Sequence, residues 1–157
     1  MVVAFSGGVD STLLLFAARE AVGREHVLAL RGVSELVSAR ELEASRQVLE
    51  KLELTDEEWQ EVELHPLIWP EFLVNTSDRC YFCKKRMYRA FLHEMEAAGY
   101  PVLLDGTNVD DLKYNRPGLR AIHELMVKTP LLDVGLNKEE IRTLARDFGL
   151  TNHDKPS

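Results

Sequence analysis

The chain opens with a short apolar run, Val2–Phe5, that breaks at once into Ser6-Gly7-Gly8 and then into a leucine-rich pattern of helical spacing over Ser11–Val22. A run so short and so apolar suits a strand buried on both faces, the condition of a parallel sheet covered by helices. The alternation continues along the chain. Val27–Leu30 reads as a second strand, Val37–Leu52 as a second helix and Glu61–Leu64 as a third strand. Pro66 and Pro70 break the chain into a loop region that reaches Asp78, and Tyr81–Ala98 has the composition of another helix. Val102–Leu104 is predicted as the fourth strand, Leu119–Leu125 as a short helix and Val127–Leu131 as a fifth strand. Lys138–Phe148 is predicted as the last helix, opened by a capping box of Asn137 with Glu140 and closed by Gly149. Strands alternating with helices predict an α/β fold: a doubly wound parallel sheet of about five strands with helices on both faces. Ligands of such sheets bind beyond the carboxyl ends of the strands, where Phe5-Ser-Gly-Gly-Val-Asp-Ser-Thr12 and Asp105-Gly-Thr-Asn-Val-Asp-Asp111 both fall.

The 157 residues, 45% hydrophobic and 29% charged, suffice for one soluble domain with its own core. Met-Val-Val-Ala-Phe has neither the basic start nor the long apolar stretch of a signal peptide or membrane span, so a cytoplasmic protein without a membrane partner is expected. Lys and Arg number 19 against 26 Asp and Glu, a net charge of −7 that repels phosphate backbones and argues against a nucleic-acid partner. The two cysteines, Cys80 and Cys83, are too few for a disulfide framework. Their spacing leaves metal, redox, reactive-thiol and plain structural roles open.

A strand that turns into a helix on two glycines presents backbone N–H groups at the positive end of that helix, which makes an anion site. Ser6, Ser11 and Thr12 add hydroxyls, and Asp10 adds a carboxylate. No Gly-Lys-Ser or Gly-Lys-Thr and no GxGxxG occurs in the chain, so neither a Walker loop nor a dinucleotide fingerprint explains these glycines.

Ser6-Gly-Gly-Val-Asp-Ser-Thr12 is similar to the pyrophosphate loop of the PP-loop ATP pyrophosphatases. Ser38-Ala-Arg-Glu41, Asp78-Arg-Cys-Tyr-Phe-Cys-Lys84, Asp105-Gly-Thr-Asn-Val-Asp-Asp111, Arg116-Pro-Gly118 and Asp154-Lys-Pro156 follow in the order seen in LarE-type ATP-dependent sacrificial sulfur transferases, which the chain resembles over nearly its whole length. The resemblance implies an enzyme that uses ATP and Mg2+ to adenylylate a carboxylate of pyridinium-3,5-biscarboxylic acid mononucleotide, after which sulfur replaces AMP on the way to a nickel-pincer nucleotide cofactor. It also implies a PP-loop domain over residues 1–150, a linker beginning at 151–157, and a sulfur-donating cysteine in a region beyond Ser157. Other PP-loop synthetases, tRNA-thiolating enzymes and a non-catalytic ATP-binding module are the rival readings, and a homo-oligomer is expected.

For ATP and pyrophosphate the expected residues are Ser6, Gly7, Gly8, Val9, Asp10, Ser11 and Thr12, with Arg31 and Ser38 after the second strand and Gly106 and Asn108 after the fourth. Asp10 is the expected Mg2+ ligand. Arg79, Lys84, Asp105, Asp110, Asp111 and Arg116 are expected to bind the nucleotide substrate, and Asp10, Ser11, Arg79, Cys80 and Cys83 to take part in catalysis. A helix start and the cationic neighbours Arg79, Lys84, Lys85 and Arg86 are expected to lower the cysteine pKa values. His26, His65, His93 and His123 form no cluster in the sequence, and Trp59 and Trp69 read as packing residues.

Overall fold

Four parallel strands make the sheet in the order β3-β2-β1-β4, with β1 at Val2–Ala4, β2 at Leu28–Val33, β3 at Trp59–Glu63 and β4 at Leu103–Leu104. A computed structural model of the chain describes residues 1–73, 78–113 and 117–154. Among them the α-helices are α1 (Val9–Val22), α2 (Ala39–Lys51), α3 (Pro70–Leu73), α4 (Arg79–Ala97), α5 (Pro117–Glu124), α6 (Pro130–Asp133) and α7 (Lys138–Asp147). None of the described helices is long and apolar enough to cross a membrane.

β1 is central: Val2 stands opposite Leu28 on one side and Leu103 on the other. Its side chains alternate, Val2 and Ala4 entering one core and Val3 and Phe5 the other. Tyr88, Phe91 and Met95 of α4 and Ile122 of α5 fill the first core; Leu14 and Leu15 of α1, Leu49 of α2 and Ile141 of α7 fill the second. Helices therefore cover both faces, as the apolar strands require. The capping box of α7 forms as predicted, with the Asn137 side chain accepting from the Glu140 N–H at 3.0 Å and Glu140 accepting from the Asn137 N–H at 2.9 Å.

The predicted fifth strand over Val127–Leu131 shrinks to a single parallel bridge, Leu104 to Lys128. Pro130 explains it: a proline gives no ladder donor, and here it starts α6. The loop expected from Pro66 to Asp78 is partly helical too, with a 3-10 turn over Pro66–Ile68 followed by α3. Pro66, Pro70, Pro117 and Pro130 each open a helical turn, where a fixed φ is favourable and the missing N–H has no partner to lose.

On the amino-end side of the sheet, Arg19 at the end of α1 donates to the Leu52 carbonyl at 2.6 Å and lies 3.4 Å from Glu58. Arg24 also reaches Glu58, at 3.3 Å, and the Thr55 N–H donates to it at 2.7 Å. Burial opposes the charge on Glu58, but the Arg24 and Thr55 hydrogen bonds and the two guanidinium charges outweigh it and bring its pKa from 4.5 down to about 2. A carboxylate with a depressed folded-state pKa contributes stability above its unfolded value and loses it as pH falls toward the folded one. Glu58→Gln should therefore lower the melting temperature at neutral pH, and the gap to wild type should close between pH 4.5 and about 2. Thermal melts of both proteins across that range check it.

Candidate active site at the glycine loop

The loop begins where β1 ends. Gly7 takes φ +78, a conformation that L side chains avoid, and a Cβ there would lie 2.5 Å from the Cβ of Ser45 on α2. Gly8 is the N-cap of α1 and brings no capping side chain, so the first N–H groups of α1 are left for another acceptor. The Ser11 hydroxyl ties the two sides of the turn, accepting from the Ser6 N–H at 3.2 Å and donating to the Gly8 carbonyl at 3.1 Å. Thr12 donates its hydroxyl to the same carbonyl at 2.8 Å. Ser6 is exposed and Gly8 and Asp10 are partly so, which leaves the turn open on its outer side.

The strand β4 brings the second predicted segment to the same place. Gly106 packs against the start of α1 so closely that a Cβ would sit 3.0 Å from the Ser11 nitrogen. Asp105 is buried and accepts from the Tyr88 hydroxyl, the Thr107 hydroxyl and, at 2.8 Å, the Thr107 N–H. Burial and the facing Asp105 charge push the Tyr88 hydroxyl pKa well up, so Tyr88 stays the donor. Asn108 donates to Asp10 at 3.3 Å, and its N–H donates to Asp111 at 3.1 Å. Lys84 bridges toward this segment, with Nζ 4.0 Å from Asp105 and its stem under Gly118.

Two residues absent from the sequence expectation join the loop. Lys138, the first residue of α7, places Nζ 2.6 Å from Asp10 Oδ2. Its N–H donates to Asp110 at 2.7 Å, which fixes the helix start from which the lysine reaches. Asp110 is held below the usual carboxylate range by its hydrogen bond from Lys113 and by that N–H. Asn152, beyond α7, donates to the Gly7 carbonyl at 3.1 Å and to the Thr12 hydroxyl at 2.8 Å. The capping box gave a usable signal for Lys138, because it put that residue at a helix start; a lone Asn in a turn gave none for Asn152.

Other expected residues lie apart from the turn. Arg31 is buried, donating to the Leu42 carbonyl at 2.8 Å, to Ser45 and to Glu61, its partner across β2 and β3. It thus supports the Ser45 that backs Gly7. Ser38 caps α2, its hydroxyl accepting from the Glu41 N–H at 3.2 Å. Arg116 and the Lys155-Pro156 pair fall outside the described residues. Arg79 stands at the first position of α4 with its guanidinium 5.1 Å from the Phe72 ring, and Cys80 and Cys83 follow in the next turn. The expected lowering of thiol pKa does not hold at Cys83: burial, then the neighbouring Cys80, push its thiol up, and Arg79 only partly offsets them. Outside these segments, a cleft of about 580 Å³ lies beside β3, α3 and α4, lined by Trp69, Phe82 and Arg89 among others and by none of the expected site residues. An anion site made of backbone N–H groups on an open turn need not be a deep hollow, so the cleft does not displace the loop.

Among the described residues no three His, Cys, Asp or Glu side chains meet in a metal-holding group. Mg2+ commonly uses one or two carboxylates and completes its shell with water and phosphate oxygens. Asp10 fits that pattern, for an ion that arrives with a nucleotide rather than one caged by protein.

The parallel sheet with an open glycine turn at the end of β1 is the fold of the NAD synthetases. The family model for NAD synthase matches residues 1–70. Solved structures agree in fold: the NH3-dependent NAD synthetase of Campylobacter jejuni, in complex with the nitrate ion, has TM-score 0.73 at 21% identity over 98% of this chain and 66% of its own. The glutamine-dependent NAD+ synthetase of Acinetobacter baumannii, in complex with ADP, has TM-score 0.73 at 18% identity over 94% of this chain and 28% of its own.

The more specific resemblance is also met. The pyridinium-3,5-bisthiocarboxylic acid mononucleotide synthase of Lactiplantibacillus plantarum is 35% identical over 153 residues, which are 98% of this chain and 54% of that protein. An uncharacterized protein of Synechocystis is 33% identical over 99% of this chain and 56% of its own. The chain is thus similar to these proteins over nearly all its residues, and it spans about half the length of the curated relatives it matches.

Gly7→Ala should destabilise the fold by about 1–3 kcal/mol, combining a left-handed conformation with overlap on Ser45. The double variant with Ser45→Gly should recover only the overlap; denaturant midpoints of the three proteins measure both contributions. Alkylation should discriminate between the thiols: Cys80 is exposed and Cys83 half-buried with a raised pKa, so iodoacetamide should label Cys80 first in a mass-spectrometric time course.

Proposed function

We propose that this chain binds ATP with Mg2+ at the glycine loop and transfers AMP to a carboxylate of a pyridinium mononucleotide, which prepares that carboxylate for sulfur transfer. The observation that carries the reading is the turn itself. A strand end, Gly7 at φ +78 and the uncapped start of α1 leave backbone donors facing outward beside Ser6, Ser11, Asp10 and Lys138. Together with the 35% identity to the Lactiplantibacillus synthase, this favours sulfur-transfer chemistry over the amide-forming synthetases that share the fold. The net charge of −7 disfavours a tRNA substrate.

In this reading the substrate carboxylate oxygen attacks the α-phosphorus, the bond from that phosphorus to the bridging oxygen breaks, and pyrophosphate leaves into the loop. Sulfur then attacks the acyl carbon and AMP departs. The N–H groups of Gly8, Val9, Asp10 and Ser11 and the hydroxyls of Ser6 and Ser11 hold the leaving pyrophosphate, while Thr12, its proton on the Gly8 carbonyl, steadies the turn from behind. Lys138 exchanges Asp10 for a phosphate oxygen and so supplies the cation that a Walker lysine would give. Asp10 would hold Mg2+, which screens phosphate charge when bound. Gly106 and Asn108 shape the loop from the β4 side, Asp105 fixes their turn, and Arg31 and Ser38 stand toward the adenosine side. Arg79, Lys84, Asp110 and Asp111 bind the acceptor, and Arg116, outside the described residues, is proposed to act with them. Cys80 and Cys83 border this region, while the sulfur donor itself belongs to a segment beyond Ser157. We further propose that the protein works in the cytoplasm and as a homo-oligomer, which light scattering after gel filtration checks.

The test is the product. ATP should yield AMP and pyrophosphate in equal amounts only when a pyridinium carboxylate is supplied. Ser11→Ala and Lys138→Met should each slow AMP formation by about 100-fold, the order seen when one preorganised donor is removed from a charged transition state. ATP binding without AMP from any such acceptor would sink the adenylylation reading and leave a binding module.

A further inference from the structure

Asn152 is only 7% exposed, and it reaches across 145 residues of sequence to the Gly7 carbonyl and 140 to the Thr12 hydroxyl. A carbonyl can only accept, so the Gly7 contact fixes which end of the Asn152 amide is Nδ2. The other end, Oδ1, is buried without a hydrogen-bond partner among the described residues. An acceptor buried without a partner is costly, so the Oδ1 end does not account for the placement of this side chain. What the amide accomplishes lies on its Nδ2 side.

The described chain has no cis peptide bond, so the Gly7 carbonyl and the Gly8 N–H, which share one peptide plane, point in opposite directions. Holding the carbonyl on Asn152 therefore turns the Gly8 N–H to the other side, into the turn. There it donates weakly to the Ser6 hydroxyl at 3.3 Å. Gly7 at φ +78 has no side chain to prevent this peptide from rotating. The second bond acts in the same sense: Asn152 donates to Thr12 Oγ1, which keeps that hydroxyl's proton on the Gly8 carbonyl at 2.8 Å. Both carbonyls of the Gly-Gly pair are thus drawn away from the anion side of the turn.

We propose that Asn152 is a positioning residue for pyrophosphate: it orients the Gly7–Gly8 peptide so that the Gly8 N–H meets the anion. The proposal rests on the reading of this turn as a pyrophosphate site and names a residue of it that lies outside the glycine motif. Asn152 touches no anion itself.

The experiment uses the chain as it is, with magnesium pyrophosphate as the probe. Calorimetric titration compares wild type with Asn152→Asp, which keeps the shape but sets an oxygen against the Gly7 carbonyl, and with Asn152→Ala. Affinity should fall about ten-fold or more in both, the order for one lost hydrogen bond to a charged group, while Lys51→Ala at the end of α2 should leave it within about two-fold. The unliganded Gly8 amide resonance should also shift in the variants, which loss of stability alone would not single out. Folded variants that bind as wild type does would overturn the proposal. A wild-type chain that fails to bind pyrophosphate would overturn the site reading and this inference with it. If neither variant folds, the wild-type protein decides: the Asn152 side-chain amide and the Gly8 N–H should move together as pyrophosphate is added, and a Gly8 shift with Asn152 unmoved counts against coupling.

Discussion

β1 is three residues long, yet both its edges are paired and both its faces are covered. Its side chains have nowhere to go but into the two cores, and its backbone has no edge left for water or another strand. Burying such a strand leaves no row of unpaired backbone groups because β2 and β4 pair with its two edges, and since both lie parallel to it their carboxyl ends fall on the same side. Everything of chemical interest follows from that alignment. The glycine turn leaves β1, the Asp105–Asn108 turn leaves β4, and each is delivered to the other without a long loop.

Convergence is then secured by small residues rather than by large ones. Gly7 lets α2 approach through Ser45, and Gly106 lets the β4 turn lie against the start of α1. Around these close approaches, charged groups are held by partners already in place: Asp105 by Tyr88 and Thr107, and Asp110 by Lys113 and the α7 N–H. Few of these side chains need to move for the backbone donors of the turn to stay pointed outward. That is the arrangement an electrostatic site needs, since donors fixed beforehand do not have to reorganise when charge arrives.

Much of this was legible because it is local. The apolar runs over Val2–Phe5, Val27–Leu30 and Val102–Leu104, the Gly-Gly turn and the Asn137–Glu140 box each act within a few residues, and each forms its element where the sequence puts it. The predicted strand over Val127–Leu131 failed because its apolar content outweighed Pro130 in the reading, whereas in the folded chain the missing donor decides. Lys138 and Asn152 were not legible as site residues, because their contacts lie 128 and 145 residues away and their local settings look ordinary. A lysine at the start of an amphipathic helix usually faces water, and an asparagine in a turn usually bonds its own backbone. The cysteines misled in the opposite direction: local sequence promised activated thiols, but packing of α4 pushed the Cys83 thiol up instead.

The ion pair between Asp10 and Lys138 has one more implication. At 2.6 Å, with each side chain about one-fifth exposed, the two charges cancel at the mouth of the turn. The resting loop is therefore close to electroneutral, and on the proposed reading a nucleotide does not fill an electropositive trap. Lys138 would pass from carboxylate to phosphate, and the Asp10 carboxylate so released would be free to hold Mg2+. On that reading the site would act as an ion exchanger, admitting a metal and a polyanion as a pair and favouring neither of them alone.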